Sequence, residues 1–256
     1  DQAFFKWYGS YIKSALFGFN QIFTQNESSK TLLERIDYKS VSVSGDTRFD
    51  RVLNQLKVDN SVTFIEEFKN DNLCIVFGST WPDDDKLYLD FINSNENSGL
   101  KFVIAPHNIK PSYVDSLKTQ LKVKKICFSE LSNSENLSDY KVFILDTIGY
   151  LSKVYSYADI AYVGGGAGST GLHNILEPAV FGIPIIIGKN YEKFPEAKTL
   201  INLEGVTTVA TPHSFNSTLN ALITDDVLRK SQGKITKSFI DINKGAVLQI
   251  MDYLDT

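Results

Sequence analysis

Residues 162–188 read YVGGGAGSTGLHNILEPAVFGIPIIIG, and the order of patterns in and around them sets the fold class. An apolar β run, Ile160 to Val163, stops at Gly164-Gly165-Gly166, and Gly168, Ser169, Thr170 and Gly171 come next. A helical apolar pattern opens at Leu172 and runs through Ile175, Leu176, Ala179 and Val180 to Gly182. A second buried strand, Ile183 to Ile187, closes the unit. Strand, glycine loop, helix and strand make half of a parallel α/β sheet. Glycines let a backbone turn tightly and come close to a ligand. Ser169 or Thr170 is placed to cap the helix, and free N–H groups at a helix start suit an anion such as phosphate. Many α/β turns carry glycine for packing alone, so the loop by itself leaves packing and ligand binding both open. His173, Asn174 and Glu177 fall within about one helical turn of each other. A helix packed on a sheet rarely spends three polar residues at that end without use.

Upstream, the same alternation starts at Leu73. Leu73 to Phe77 reads as a strand, followed by the loop Gly78-Ser79-Thr80-Trp81-Pro82. Asp83, Asp84 and Asp85 fall in the first turn of the next helix, where carboxylates suit the helix dipole better than a metal cluster. Lys101 to Ala105 is a strand ending at Pro106-His107-Asn108, and Pro111 starts a helix. Lys125 to Phe128 and Val142 to Leu145 are strands, and Asp146-Thr147-Ile148-Gly149-Tyr150 leads into a short helix through Tyr155 and Tyr157. Downstream, Glu196 to Leu203, Val206 to Val209, Ser214 to Thr224 and one long helix to about Tyr253 complete the pattern. Strands alternating with helices from 73 to 210 predict a Rossmann-like, doubly wound parallel sheet. Ser79 and Thr80, His107, the stretch Asp146–Gly149–Tyr150 and the stretch Gly164 to Glu177 all come directly after strand ends. Ligands bind on that edge of such sheets.

The first residues are different in kind. Phe4 to Phe19 is aromatic-rich and of plausible helical spacing; it reads as a helix packed on its own domain, with a membrane-facing surface as the alternative. Gln21 to Gln25 reads as a strand, Ser28 to Ile36 as a helix capped by Ser28 or Ser29, and Val41 to Ser44 as a strand. This β-α-β piece has no sheet of its own to complete, so residues 1–45 are expected to be the tail of a preceding domain and residues 46–256 the second domain. Gly45 to Val52, GDTRFDRV, suits a hinge, with Asp46, Arg48, Asp50 and Arg51 pairing across it or contacting ligand.

The chain has 256 residues, 43% hydrophobic and 22% charged, as in an ordinary globular protein. A net charge of −4 offers no basic field for nucleic acid. No run approaches the roughly 18 apolar residues of a membrane span, and no signal peptide is visible. Cys74 and Cys127 both fall in expected strands and read as buried thiols of a reducing compartment. The one methionine is Met251, so the sequence is expected to begin inside a longer or processed protein. There is no P-loop motif, no acidic partner placed for a dinucleotide fold and no paired His/Cys set for zinc. No metal and no cofactor are expected. His107 and His173 are as well suited to hydrogen bonding as to acid–base work. What remains is a phosphate pocket with a carboxylate, Glu177, placed for hydroxyl groups, which fits a sugar nucleotide.

Taken together, GDTRFDRV, the GST at Gly78, the APH at Ala105, the D-T-x-G-x-L at Asp146 and the GGG…GLHNILEPAVFGIP…F…EA of 164–197 resemble the 3-deoxy-D-manno-octulosonic acid (Kdo) transferases. The resemblance runs along essentially the whole chain, in order; the E-P-x-x-x-G-x-P core alone would indicate only the wider two-Rossmann-domain (GT-B) group. It implies the C-terminal, donor-binding domain of a GT-B glycosyltransferase that moves Kdo from CMP-Kdo to a lipid A precursor, with inversion and without metal. It further implies peripheral attachment to the cytoplasmic side of the bacterial inner membrane through an N-terminal domain that also carries the general base. On this reading amides from Gly165 and Gly166 through Gly168, Ser169, Thr170 and Gly171 hold the leaving CMP phosphate, Glu177 binds ribose hydroxyls, Asp146 to Tyr150 frames cytidine, and His107 meets phosphate or the Kdo carboxylate. Many members carry Arg-His and a further basic residue where this chain has His107-Asn108-Ile109-Lys110, which leaves the family's phosphate contact to His107 or Lys110. Alternatives are another GT-B enzyme, such as a UDP-sugar epimerase, and a nucleotide-binding module without catalysis. Residues 1–256 alone are expected to bind CMP without transferring Kdo.

Overall fold

The computed structural model describes Lys6, residues 9–132 and residues 136–255. Phe4, Phe5, Trp7 and Tyr8 of the aromatic stretch lie outside the described residues; the rest of that stretch contains a helix over Ser10–Leu16. By contacts the chain divides into two units, residues 1–54 with 241–256, and residues 55–240.

The first unit holds β1 (Ile22–Thr24) and β2 (Val41–Val43), paired in parallel around the helix Glu27–Glu34. Its small apolar cluster is Leu33, Tyr38 and Val41. The helix is capped by Asn26, whose side chain accepts from Ser29 N at 2.9 Å, and not by Ser28 or Ser29. The expected boundary at Gly45 falls inside this unit. GDTRFDRV forms a helix, Thr47–Asn54, with Phe49 and Val52 buried. Asp46 pairs with Arg48, while the Asp50 carboxylate accepts from Gly245 N (2.8 Å) and Val247 N (3.2 Å). That capping also corrects the expected single C-terminal helix. The chain forms two, Asp226–Asn243 and Ala246–Leu254, broken at Gly245 with φ +109°. A left-handed glycine ends a helix without steric cost.

The second unit is the predicted sheet. Its strands are β3 (Leu73–Thr80), β4 (Leu100–Pro106), β5 (Lys125–Cys127), β6 (Val142–Ile144), β7 (Ile160–Val163), β8 (Ile185–Gly188) and β9 (Val206–Val209). All pair in parallel, in the order β5-β6-β4-β3-β7-β8-β9. Continuous apolar runs such as Cys74–Phe77, Phe102–Ile104 and Ile185–Ile187 are buried, as strands covered on both faces must be. Cys74 and Cys127 are buried free thiols whose pKa burial pushes up to about 12. One face packs on the helices Pro82–Ser94 and Pro212–Thr224 through Phe77, Tyr88, Phe91, Phe102, Tyr162 and Phe215. Each such ring contributes roughly 1.5–3 kcal/mol through its burial. The chain winds outward from β3 through β4, then returns to the other side of β3 at β7. The crevice beyond the carboxyl ends of β3 and β7 is therefore the topological switch point.

One element differs in a way that matters there. The helix expected from Leu172 to Gly182 covers only Leu176–Ala179. Pro178 has no N–H and is tolerated only in a first turn, so a helix containing it must begin close before it. The residues ahead of it fold back, with His173 N donating to Gly164 O at 3.0 Å. Ser169 and Thr170 consequently cap no helix; the helix begins at Leu176 and not directly after the loop.

Candidate functional site

The carboxyl edge is built from the ends of β3, β4, β6 and β7. At the end of β3 the pairing with β4 slips between Gly78 and Thr80, and Ser79 takes φ +54°. A side chain at Gly78 would meet the Tyr155 hydroxyl at 1.8 Å, so this glycine serves close packing. The bulge leaves Ser79 half-buried at the rim and turns Thr80 inward. Thr80 is fully buried, with its hydroxyl 3.4 Å from that of Tyr88, which corrects its expected place among ligand contacts.

The glycine loop is held from below by Asp84. Its carboxylate, 0% exposed, accepts from Trp81 N (2.9 Å), Tyr162 Oη (2.7 Å), Gly165 N (2.8 Å) and Ala167 N (3.3 Å). Gly165 and Ala167 thus spend their amides on the protein's own anion, and Gly165 does not offer its N–H to a ligand phosphate as the sequence suggested. The glycines there answer to packing. A Cβ at Gly164 would lie 2.4 Å from Ser79 O, one at Gly165 2.0 Å from Gly171 O, and one at Gly166 3.1 Å from Gly188 N. The outer half differs in its amides, although a Cβ at Gly168 would lie 2.4 Å from Asp83 Oδ2. Among the described residues the amides of Gly168, Ser169, Thr170 and Gly171 meet no protein acceptor, and Ser169 and Thr170 are exposed. Asn190 shapes this half by donating to Gly168 O at 2.7 Å, and Thr170 Oγ1 donates to Gly165 O at 3.3 Å. The candidate anion cradle therefore runs over residues 168–171.

Beside it three rings come together. Trp81, next after β3, stacks on His107, next after β4, with centroids 4.6 Å apart. His107 stacks on His173 at 4.3 Å. Trp81 Nε1–H donates to His173 Nε2 at 2.9 Å. Burial, then the neighbouring His107, hold the His173 pKa below the usual histidine value. His107 itself is exposed, and its backbone N–H donates to Thr80 O at 3.0 Å. Lys110 is exposed at the start of the helix Pro111–Gln120.

Glu177 sits in the first turn of the short helix, half-buried. It accepts from Ser152 Oγ and from Asn174 Nδ2, each at 3.1 Å. Asn174 Oδ1 in turn accepts from Leu176 N at 3.1 Å, so Asn174 both starts the helix and orients the carboxylate. Tyr155, fully buried nearby, has its phenol pKa raised by burial and then by Glu177. Asp146 is committed elsewhere: both its oxygens accept from Ser129, one from the backbone N–H and one from the hydroxyl. It orders the loop after β5. Gly149 turns with φ +91° into the half-buried Tyr150, which packs against Phe64 and Phe128. Trp81, Asp84 and Ser152 are parts of this edge that sequence reasoning did not assign to it. The chain order hides Ser152, and an aspartate in a first helical turn reads as solvated. Among the described residues no group of three His, Cys, Asp or Glu side chains could hold a metal ion.

No protein-family model matches the chain. By sequence it is similar to the 3-deoxy-D-manno-octulosonic acid transferase of Haemophilus influenzae, 27% identical over 224 residues, which cover 84% of this chain and 51% of that protein. It is similar also to the enzyme of that name from Chlamydia trachomatis serovar A, 33% identical over 118 residues, 44% of this chain and 26% of the relative. The chain spans about half the length of the first of these relatives or less. Among solved structures it is similar to the C-terminal CMP-Kdo binding domain of WaaA from Acinetobacter baumannii, with a TM-score of 0.60 at 18% identity over 76% of this chain and 99% of that one. A putative UDP-N-acetylglucosamine 2-epimerase from Listeria monocytogenes gives a TM-score of 0.58 at 13% identity over 91% of this chain and 57% of that one. At these identities the structures speak to the fold, which is that of a GT-B glycosyltransferase C-terminal domain.

Proposed function

We propose that this chain, a relative of the Kdo transferases by sequence, forms the donor-binding part of an inverting glycosyltransferase that moves Kdo from CMP-Kdo to a lipid A precursor. The observation that carries the reading is the juxtaposition on one sheet edge of the open amides of 168–171 with the oriented carboxylate of Glu177. Amides suit a phosphate whose negative charge grows as the sugar leaves, because they stabilise the departing oxygen more than the ground state. Glu177, fixed by Ser152 and Asn174, suits the two ribose hydroxyls of the same nucleotide. His107, exposed after β4, and His173, half-buried after the glycine loop, lie on the same edge and are suited to a phosphate or sugar carboxylate. No residue of this chain is assigned as general base; an inverting transfer needs one on the face opposite the leaving group, and the resemblance assigns it to the other GT-B domain. The acceptor and peripheral attachment at the cytoplasmic face of the inner membrane rest on the relatedness alone.

Calorimetry with CMP, UDP and AMP tests the reading. CMP should bind detectably and AMP should not. Equal affinity for CMP and AMP would sink the cytidine assignment, and preference for UDP would move the chain to a UDP-sugar enzyme of the same fold. Glu177→Ala should weaken CMP binding by roughly 1.5–3 kcal/mol, the range for hydrogen bonds to a charged group. Because the partners Ser152 and Asn174 are themselves only part-buried, the unliganded melting temperature should change little. A variant that loses stability and keeps its affinity would make Glu177 structural.

A further inference from the structure

The Trp81–His107–His173 stack constrains the chemistry of one of its members. Trp81 and His173 are nearly coplanar, 9° apart, and meet edge to edge through the 2.9 Å contact from indole Nε1–H to imidazole Nε2. An indole nitrogen can only donate. His173 Nε2 must therefore carry a lone pair, and in a neutral imidazole the proton then resides on Nδ1. A protonated ring would set two N–H groups against each other at that distance. The other charged and titratable neighbours do not reverse this. His107, stacked at 4.3 Å, opposes a second positive charge, and Asp84, which favours one, already accepts from Trp81 N, Gly165 N and Tyr162 Oη. Half-burial also disfavours the cation.

We propose that Trp81 is a positioning residue of the donor site: its indole N–H locks His173 as a neutral imidazole with the proton on Nδ1, so that His173 serves an anionic oxygen of the nucleotide sugar as a directed hydrogen-bond donor. The proposal rests on the donor-site reading above and adds to it which atom of His173 works and what sets it.

Long-range proton–nitrogen correlation spectra test it, since the chain has only 3 histidines. In the wild-type protein at pH 7, His173 should show the Nδ1–H tautomer and should stay neutral to a lower pH than an ordinary histidine. Trp81→Phe keeps a stacking ring and removes the donor. In that variant His173 should move toward the Nε2–H tautomer and titrate at higher pH. Its CMP affinity should fall roughly three- to tenfold, the size of one hydrogen bond, with a new pH dependence near 6.5 that the wild type lacks. An Nε2–H or cationic His173 in the wild type would overturn the proposal without any variant, as would an unchanged tautomer in Trp81→Phe. If the tautomer behaves as stated but wild-type protein binds no CMP, the donor-site reading fails while the hold of Trp81 on the ring stands.

Discussion

Asp84 and Asp85 are adjacent in the chain and share a helix turn, yet they meet different surroundings. Asp84 collects donors from three backbone amides and one phenol. The carboxylate of Asp85, a residue 3% exposed, accepts among the described residues only from the hydroxyls of Tyr88 and Tyr113, at 2.5 and 2.7 Å. Burial, only partly offset by those two bonds, pushes its pKa from 3.8 up to about 6. A carboxyl raised in this way binds its proton more tightly folded than unfolded. Its contribution to stability is complete below pH 3.8 and is lost as pH rises through 6. Asp85→Asn removes that dependence. The melting temperature of wild type relative to Asp85→Asn should therefore climb as pH falls from about 7 to 4, and a constant difference across that range would show that Asp85 titrates normally. None of this was legible in the sequence. Three consecutive aspartates at a helix start read as solvated charges suited to the dipole, and only the burial of Asp85 beneath Tyr88 of its own helix and Tyr113 of a different one sets it apart as a raised acid.

At the scale of elements, the strands were legible and the glycine loop was half legible. Runs such as Ile160–Val163 and Ile185–Ile187 are apolar on both faces, and only a covered parallel sheet buries both. The helix after the loop misled because Leu172, Ile175, Leu176 and Ala179 keep helical spacing whether or not the backbone is helical. Leu172 and Ile175 are buried from a folded-back loop instead. The loop's glycines were rightly read as punctuation, but which amides are taken up within the protein and which stay open depended on Asp84, remote in sequence. Asp84→Asn tests that division. An amide has one acceptor oxygen where the carboxylate has two, and it turns an N–H toward groups that are themselves donors. The cost should be about 2–4 kcal/mol, with faster hydrogen exchange at residues 165–167 than elsewhere in the sheet. Retained stability with an unchanged loop would mean that the close approach of Gly166 and Gly188, not Asp84, holds it. His107 and His173 make the same point about the site. Each was a candidate from its place after a strand, but their stacking against Trp81 arises only when β3, β4 and β7 stand in order.

At the scale of the whole molecule, the two units differ in what holds them. Residues 55–240 carry a seven-stranded sheet and a core running from Ile75 to Leu222. Residues 1–54 with 241–256 carry a two-stranded sheet and the cluster Leu33, Tyr38 and Val41. A two-stranded sheet is marginal in water unless a further apolar face covers it, and the sequence already suggested as much by giving this β-α-β piece no sheet to complete. Local opening costs free energy in proportion to the buried contacts it breaks. The amides of β1 and β2 should therefore exchange at least roughly a hundredfold faster than those of β3 and β4, in native conditions and without ligand. CMP should widen the gap, since binding to the second unit stabilises only what must stay folded to bind. Native-state hydrogen exchange read by NMR or mass spectrometry measures both differences. Equal protection in the two sheets, rising together when CMP is added, would show that the units open as one and that the division by contacts has no counterpart in stability.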